Sequence, residues 1–199
     1  YNNFEKGVSG LYDIWENIAC HRVFKASNIS LLQSVFSNTL SLLIHSYKKG
    51  GYLLDTAPLT ELLIETINFE QINHNINTGL LKSCELTATC YDDGKTYSFF
   101  NSSNKDHYST PAQFVPIKTQ LCLDHLLAST AIPVFFPAKR INEFQYGDGG
   151  VRLDSPLRAA VGLGASSILV ISNRQGIENK VYKPIGNPLT FAQTFSSIL

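Results

Sequence analysis

The segment that most restricts the fold is 166–172, with the sequence SSILVIS. It is short, almost wholly apolar and rich in β-branched residues, which is typical of a strand buried on both faces of a sheet. Helical patterns with one apolar face precede it at 6–18, 30–47 and 56–67. Because each such helix has to bury its apolar face, these elements together predict a three-layer α/β/α domain with a central mixed sheet.

A hairpin is predicted further along the chain. Two β-like runs, 83–91 and 95–100, are separated by Asp-Asp-Gly at 92–94, and an Asp-Gly pair between such runs favours a tight turn. The Asn-rich segment 68–79 is polar, and we expect it to be a loop or a short excursion of the chain.

The second half of the chain alternates between helix and turn signals. Segment 121–130 has a helical pattern, whereas 131–138 contains two prolines and predicts a packed, extended turn. Residues 143–150 predict a short strand that ends in a glycine turn. The pattern at 155–165, which opens with Ser-Pro, indicates another helix.

Length and charge limit the domain organisation and the class of function. The 199 residues fit one domain, 1–199, and the formal net charge of zero does not indicate a nucleic-acid-binding surface. The chain contains no Met and begins at Tyr1, so we expect it to be part of a longer product. Its longest apolar stretch, 126–136, is too short and too interrupted to span a membrane.

Cysteine and histidine spacing gives no metal motif. The four cysteines at 20, 84, 90 and 122 form no C-x-x-C pair, and we expect buried free thiols in a reducing compartment. The five histidines are scattered, and His125 is expected to be a surface or hydrogen-bonded helix residue. No metal ligand is predicted.

A candidate carboxylate lies among glycines in the stretch QYGDGGVRLDS at 145–155. Gly147, Gly149 and Gly150 surround Asp148 and allow positive φ angles or close approach of the backbone. Two interpretations stay open at this point. Asp148 is either a turn residue that bonds its own backbone, or a carboxylate that the glycines present at a strand end, where catalytic groups are often found.

A serine nucleophile in a G-x-S-x-G turn is absent from the sequence. The nearest match is GVSGL at 7–11, which has no apolar strand before it. We therefore interpret Ser9 as the N-cap of the first helix.

The segment 126–172 resembles the second half of a patatin-like phospholipase domain. The features that carry the resemblance occur in order: Ala-Ser-Thr-Ala-Ile-Pro at 128–133, Phe-Pro at 136–137, Asp-Gly-Gly at 148–150, Ser-Pro-Leu at 155–157 and Gly-Ala at 164–165. Segments 11–24 and 53–63 are also similar to the family. The glycine-rich loop and the G-x-S-x-G elbow of the family are not found, and we expect both to lie upstream of Tyr1.

The resemblance implies a lipid acyl hydrolase that uses a Ser–Asp dyad without a cofactor. Asp148 would accept the serine proton, and the glycines at 147, 149 and 150 would support its loop. Ile132, Phe135 and Phe136 are candidates for an acyl site or for the core. Arg152 is a candidate for a lipid phosphate contact or a solvated side chain.

The resemblance further implies a lipid or phospholipid ester as partner, with transient contact to a membrane surface and no nucleic acid. A cytoplasmic or membrane-peripheral location is expected, and secretion stays open. The 199 residues alone are expected to be inactive. Two alternatives remain at this stage: a non-catalytic lipid- or protein-binding module derived from this fold, and an unrelated α/β binding protein.

Overall fold

The computed structural model describes residues 2–25, 52, 54–103, 114–151 and 157–171. The predicted helix at 30–47, the predicted helix start at Ser155 and Pro156, and the candidate Arg152 lie outside these residues.

Six α-helices and one 3₁₀ turn occur in the described part of the chain. The helices are α1 (Asn2–Asn17), α2 (Cys20–Val23), α3 (Ala57–Thr66), α4 (Phe69–Asn77), α5 (Leu123–Ser129) and α6 (Arg158–Gly162), and the 3₁₀ turn is Gly149–Val151.

Five strands form one sheet in the order β3-β2-β1-β5-β4. They are β1 (Ser83–Cys90), β2 (Thr96–Ser102), β3 (Phe114–Lys118), β4 (Lys139–Ile141) and β5 (Phe144–Asp148). Strand β3 runs parallel to β2, and the other neighbouring pairs are antiparallel. The predicted α/β class with a central mixed sheet is therefore confirmed, as is the hairpin, which β1 and β2 form around the Asp-Asp-Gly turn.

Helices cover both faces of this sheet. Phe99 of β2 lies on the face that packs against α5, where its ring centroid is 4.5 Å from that of His125. Phe114 pairs with Thr96, which points to the other face because side chains alternate along a strand. There the Arg158 guanidinium of α6 lies 4.8 Å from the centroid of the Phe114 ring. The three-layer arrangement thus follows from α5 and α6.

The hydrophobic core lies between the sheet and α5. Phe99 and Tyr146 meet edge to face with centroids 5.3 Å apart, and Tyr97 contacts Tyr146 in the same way at 5.2 Å. The buried members of this cluster are Ala88, Cys90, Phe99, Leu121, Ala128 and Tyr146. Such aromatic pairs fix the position of β5 against β2 across the central strand β1.

The prediction of a loop or a short excursion at 68–79 is wrong, because most of this segment is helix α4. The Asn68 side chain caps the helix by accepting a hydrogen bond from the Gln71 N–H at 2.9 Å. Asn73 then bonds outside the helix: its amide donates to the Leu121 carbonyl at 3.0 Å and accepts from Asn101 at 2.9 Å. Asn68 and Asn73, whose polarity is typical of a loop, therefore act here as a helix cap and as a tertiary contact.

The prediction of a buried strand at 166–172 is also wrong for the described residues 166–171. They contain no strand, and their apolar side chains are exposed, with Leu169 at 87% and Ile171 at 90%. A strand needs a hydrogen-bonded neighbour, and in the described part of the chain none of the five strands pairs with this segment.

The first helix is present where the pattern predicts it, but it begins earlier. Ser9 lies within α1 and does not cap it, so that interpretation is wrong. The apolar stripe of α1 is exposed and includes Trp15, at 67%. The amphipathic pattern therefore predicted the helix correctly. The expectation that its apolar face is buried does not hold for α1.

The four cysteines are free, as predicted. Burial was predicted for all of them, yet Cys20 and Cys122 are exposed and only Cys90 is fully buried. None of the described helices combines the length and apolar content that crossing a membrane requires.

Candidate functional site

Asp148 is the last residue of β5, directly beside the central strand of the sheet. It pairs with Ala88 of β1, and Gly147 pairs with Thr89. The 3₁₀ turn Gly149–Val151 follows at once. The strand therefore carries the aspartate to its end and stops there, which is where loops of α/β folds place functional groups.

Three elements hold the backbone and one carboxylate oxygen of Asp148. Its N–H donates to the Ala131 carbonyl at 2.9 Å, and its own carbonyl accepts from the Thr89 hydroxyl at 2.9 Å. Carboxylate atom Oδ1 accepts from the Gly150 N–H at 2.7 Å. The residue is thus fixed by β1, by the segment after α5 and by its own turn.

The second carboxylate oxygen of Asp148, Oδ2, accepts no hydrogen bond from the described residues. The residue as a whole is half-buried. The turn interpretation is correct for Oδ1, and the second interpretation stays available for Oδ2. A single carboxylate has enough acceptor positions for both.

The glycines around Asp148 serve close approach and not unusual dihedral angles. Among the described glycines, positive φ angles occur at 79, 94 and 164, and not at 147, 149 or 150. A Cβ on Gly149 would lie 2.5 Å from the Thr87 carbonyl oxygen of β1. A Cβ on Gly150 would lie 3.2 Å from Asp148 Oδ1. Because Gly149 and Gly150 have no side chains, the turn can pack closely against the backbone of β1 and against the Asp148 carboxylate.

Gly147 makes room for Tyr91, a residue that the sequence analysis did not select. A Cβ on Gly147 would lie 1.8 Å from the Tyr91 hydroxyl oxygen. Tyr91 follows β1 and precedes the Asp-Asp-Gly turn, so its sequence position indicates only a strand end. Its place at the site depends on the pairing of β1 with β5, which are more than 50 residues apart.

Helix α5 supports the carbonyl that holds Asp148. The helix ends at Ser129, and Ala131 follows two residues later. At the other end, the Cys122 N–H donates to His125 Nδ1 at 3.1 Å, which caps the first turn. His125 is only 7% exposed, so the prediction of a hydrogen-bonded helix residue is confirmed.

We expect acid to destabilise this cap. Burial lowers the pKa of His125 below its ordinary value of 6.5, so the unfolded chain binds the proton more readily than the folded chain. The contribution of neutral His125 to the free energy of unfolding should therefore be fully present above pH 6.5. The free energy of unfolding should decrease as the pH falls below that value, by at most about 1.4 kcal/mol per pH unit.

The measurement is the free energy of unfolding between pH 7.5 and pH 5. His125→Asn, whose amide oxygen still accepts a hydrogen bond, should show a flatter dependence than the wild type. His21→Asn, on the exposed face of α2, is the control and should keep the wild-type slope. Equal slopes for all three proteins would contradict the assignment.

A cavity of about 200 Å³ lies between α3 and the segment that follows α5. Phe136 lines it, whereas Ile132 and Phe135 are not among its lining residues. Phe135 instead accepts a hydrogen bond from the Leu54 N–H at 2.8 Å through its carbonyl. Of the four candidates for a substrate pocket, the described structure thus places one in a cavity, and Arg152 lies outside the described residues.

The cavity and Asp148 share one residue. Ala131 lines the cavity, and its carbonyl holds the Asp148 N–H. The remaining lining is five apolar residues, three threonines and one lysine: Thr56, Leu59, Thr60, Leu127, Thr130, Phe136, Pro137, Ala138 and Lys139. A small apolar space thus lies close to the backbone of the candidate base.

Comparison with known proteins identifies one family. A family model described as patatin-like phospholipase matches residues 11–161, which is more than half of the chain. No curated protein and no solved structure matches the chain.

Proposed function

The chain belongs to the patatin-like phospholipase family, and on this premise we propose that it carries the proton acceptor of a lipid acyl hydrolase. Asp148 is that acceptor. The nucleophile is a serine that is not among these 199 residues, because they contain no G-x-S-x-G sequence. This chain by itself is expected to be inactive.

The observation that supports the proposal most directly is that the two carboxylate oxygens of Asp148 differ in their hydrogen bonds. Oδ1 is fixed by the Gly150 N–H, and Oδ2 accepts nothing from the described residues. A general base needs a held carboxylate with one oxygen free to take a proton. A purely structural turn would need only the hydrogen bond that holds the carboxylate.

The reaction then takes two steps. The serine oxygen attacks the carbonyl carbon of the ester, and its proton passes to Asp148 Oδ2. The bond to the alcohol oxygen breaks, the alcohol leaves with that proton, and the acyl group stays on the serine. Asp148 next takes a proton from a water molecule, whose oxygen attacks the acyl carbon. The bond between that carbon and the serine oxygen breaks, Asp148 returns the proton to the serine oxygen, and the fatty acid is released.

Direct contact between serine and carboxylate is essential in this scheme. Carboxylates are weak bases, and no histidine mediates the transfer. The serine hydroxyl must therefore come within about 2.6–3.2 Å of Oδ2. The rigid backbone of Asp148, bonded at N–H, at carbonyl and at Oδ1, suits that requirement.

The substrate class we propose is an ester of a fatty acid, with phospholipids as the first candidates. The family description indicates lipids, and the apolar cavity that shares Ala131 with the Asp148 contact could take part of an acyl chain. Each methylene group that leaves water contributes about 0.8 kcal/mol to binding.

Labelling with a fluorophosphonate probe tests this proposal. The probe reacts with activated serines, and mass spectrometry locates the modified residue. We expect a label on one serine of a G-x-S-x-G sequence in the intact protein, together with release of fatty acid from phospholipid vesicles.

Two results would contradict the enzyme proposal. A label on a serine of the 199 residues, such as Ser9 or Ser129, would contradict the assignment of the nucleophile to a G-x-S-x-G sequence and the expected inactivity of this chain. Binding of vesicles without either label or hydrolysis would favour the non-catalytic lipid-binding module.

A further inference from the structure

An exposed thiol meets a buried imidazole at the start of α5. Cys122 is exposed, whereas His125, three residues further along the chain, is only 7% exposed. The sulfur of Cys122 lies 3.1 Å from Nδ1 of His125. A nucleophilic group and a basic group are therefore in contact at the surface, and the proposed ester hydrolysis uses neither of them.

The direction of this contact follows from a second hydrogen bond to the same nitrogen. The backbone N–H of Cys122 donates to His125 Nδ1 at 3.1 Å. A backbone N–H can only donate, so Nδ1 carries no proton and is an acceptor. In the contact with sulfur the thiol is therefore the donor, and its proton points at an unprotonated ring nitrogen.

The imidazole of His125 is held in place and is able to accept that proton. Its ring packs against Phe99 of the core, with centroids 4.5 Å apart. Burial lowers the pKa of His125, so the ring is neutral at neutral pH. A nucleophile that is bonded to a base, where the base is itself fixed by a third group, is the arrangement that activates a nucleophile in enzymes.

The other three cysteines lack this combination. Cys90 is buried and Cys84 is half-buried, and burial raises the pKa of both thiols, which disfavours the reactive thiolate. Cys20 is exposed, as Cys122 is, but no hydrogen bond joins its thiol to a residue that the structure describes. Cys20 is therefore an internal reference for an exposed thiol without a base.

We propose that Cys122 is a site of covalent modification by hydroperoxides, with His125 as the base that takes up the thiol proton. The sulfur attacks one oxygen of the peroxide, so that an S–O bond forms and the O–O bond breaks. The proton passes through His125 Nδ1 to the leaving oxygen. With hydrogen peroxide the sulfur is oxidised to a sulfenic acid, and the peroxide is reduced to water.

The test exposes the intact protein to hydrogen peroxide and traps sulfenic acid with dimedone, and mass spectrometry then compares Cys122 with Cys20. An ordinary thiol is a few per cent ionised at pH 7, so removal of its proton raises the reactive fraction by at most about 30-fold. We expect Cys122 to be oxidised about 5- to 30-fold faster than Cys20 in the same sample. Equal rates would overturn the proposal, and this comparison needs no variant.

His125→Asn separates the effect of the base from the exposure of the thiol. The amide oxygen of asparagine still accepts a hydrogen bond, but it does not take up a proton. Oxidation of Cys122 should then slow to within about twofold of Cys20, in a protein whose folding is checked by thermal unfolding. His21→Asn, beside Cys20 on α2, is the matched control and should leave the oxidation rate of Cys122 unchanged.

A second outcome would also overturn the proposal. If Cys122 is still oxidised at the wild-type rate in folded His125→Asn, the imidazole is not the base. The result is independent of the proposed hydrolase function, because labelling of Cys122 requires no turnover of an ester. A protein that fails to hydrolyse lipids would therefore leave the modification site untouched.

Discussion

Asp148→Asn in the intact protein should lower kcat for lipid esters by about 100- to 10,000-fold, the usual contribution of a general base. The amide has nearly the same shape as the carboxylate, and its oxygen can still accept from the Gly150 N–H, as Oδ1 does at 2.7 Å. It cannot take up the serine proton. The loss should therefore appear in turnover and not in folding.

The measurement is steady-state release of fatty acid, with thermal unfolding of the same preparation. Asp124→Asn is a suitable control, because Asp124 lies on α5 near the site but forms an exposed ion pair with Lys139 at 2.7 Å. Such pairs contribute little to stability, and this variant should keep normal turnover. Near-normal turnover in Asp148→Asn would refute Asp148 as the base.

Gly149→Ala should destabilise the protein by about 3 kcal/mol, the upper end of the range for overpacked positions. Its Cβ would lie 2.5 Å from the Thr87 carbonyl oxygen and 2.8 Å from the carbonyl carbon. Both atoms belong to the backbone of the central strand β1, so no side-chain rotation can relieve the contact. For a domain of this size the melting temperature should fall by roughly 6–12 °C.

Gly10→Ala provides the opposite case. Gly10 lies within α1, and a Cβ there would meet nothing within 4 Å. Replacing a glycine within a helix by alanine stabilises by roughly 0.5–1 kcal/mol. Thermal unfolding of both variants should therefore give shifts of opposite sign. A Gly149→Ala protein as stable as the wild type would show that β1 and the glycine turn are not in close contact.

The local elements of the fold were largely predictable. The Asp-Asp-Gly turn and the alternating runs beside it predicted the hairpin of β1 and β2, and the prolines at 133 and 137 excluded a helix after α5. These signals act over a few residues, through turn geometry and through the missing N–H of proline. The family followed from ordered motifs, and its model matches residues 11–161.

The wrong predictions at 68–79 and 166–171 concern what an element packs against. The polar residues of helix α4 favour a loop when only the local pattern is considered, whereas in the structure Asn73 bonds to Leu121 and to Asn101. The apolar run at 166–171 predicted a buried strand, but its burial depends on a neighbouring strand. An apolar pattern indicates that a face should be covered, and it does not identify the partner.

The sequence by itself determined that Asp148 lies among glycines at a strand end, and that one of its oxygens could bond its own turn. Only the tertiary structure decided why each glycine is there: Gly149 faces the backbone of β1, Gly150 faces the carboxylate, and Gly147 lies under Tyr91. The physical reason is that strands β1 and β5, distant in sequence, are joined by hydrogen bonds whose register no local pattern specifies. That register brings the Thr89 hydroxyl to the backbone carbonyl of Asp148, 2.9 Å away, and the Tyr91 phenol onto Gly147.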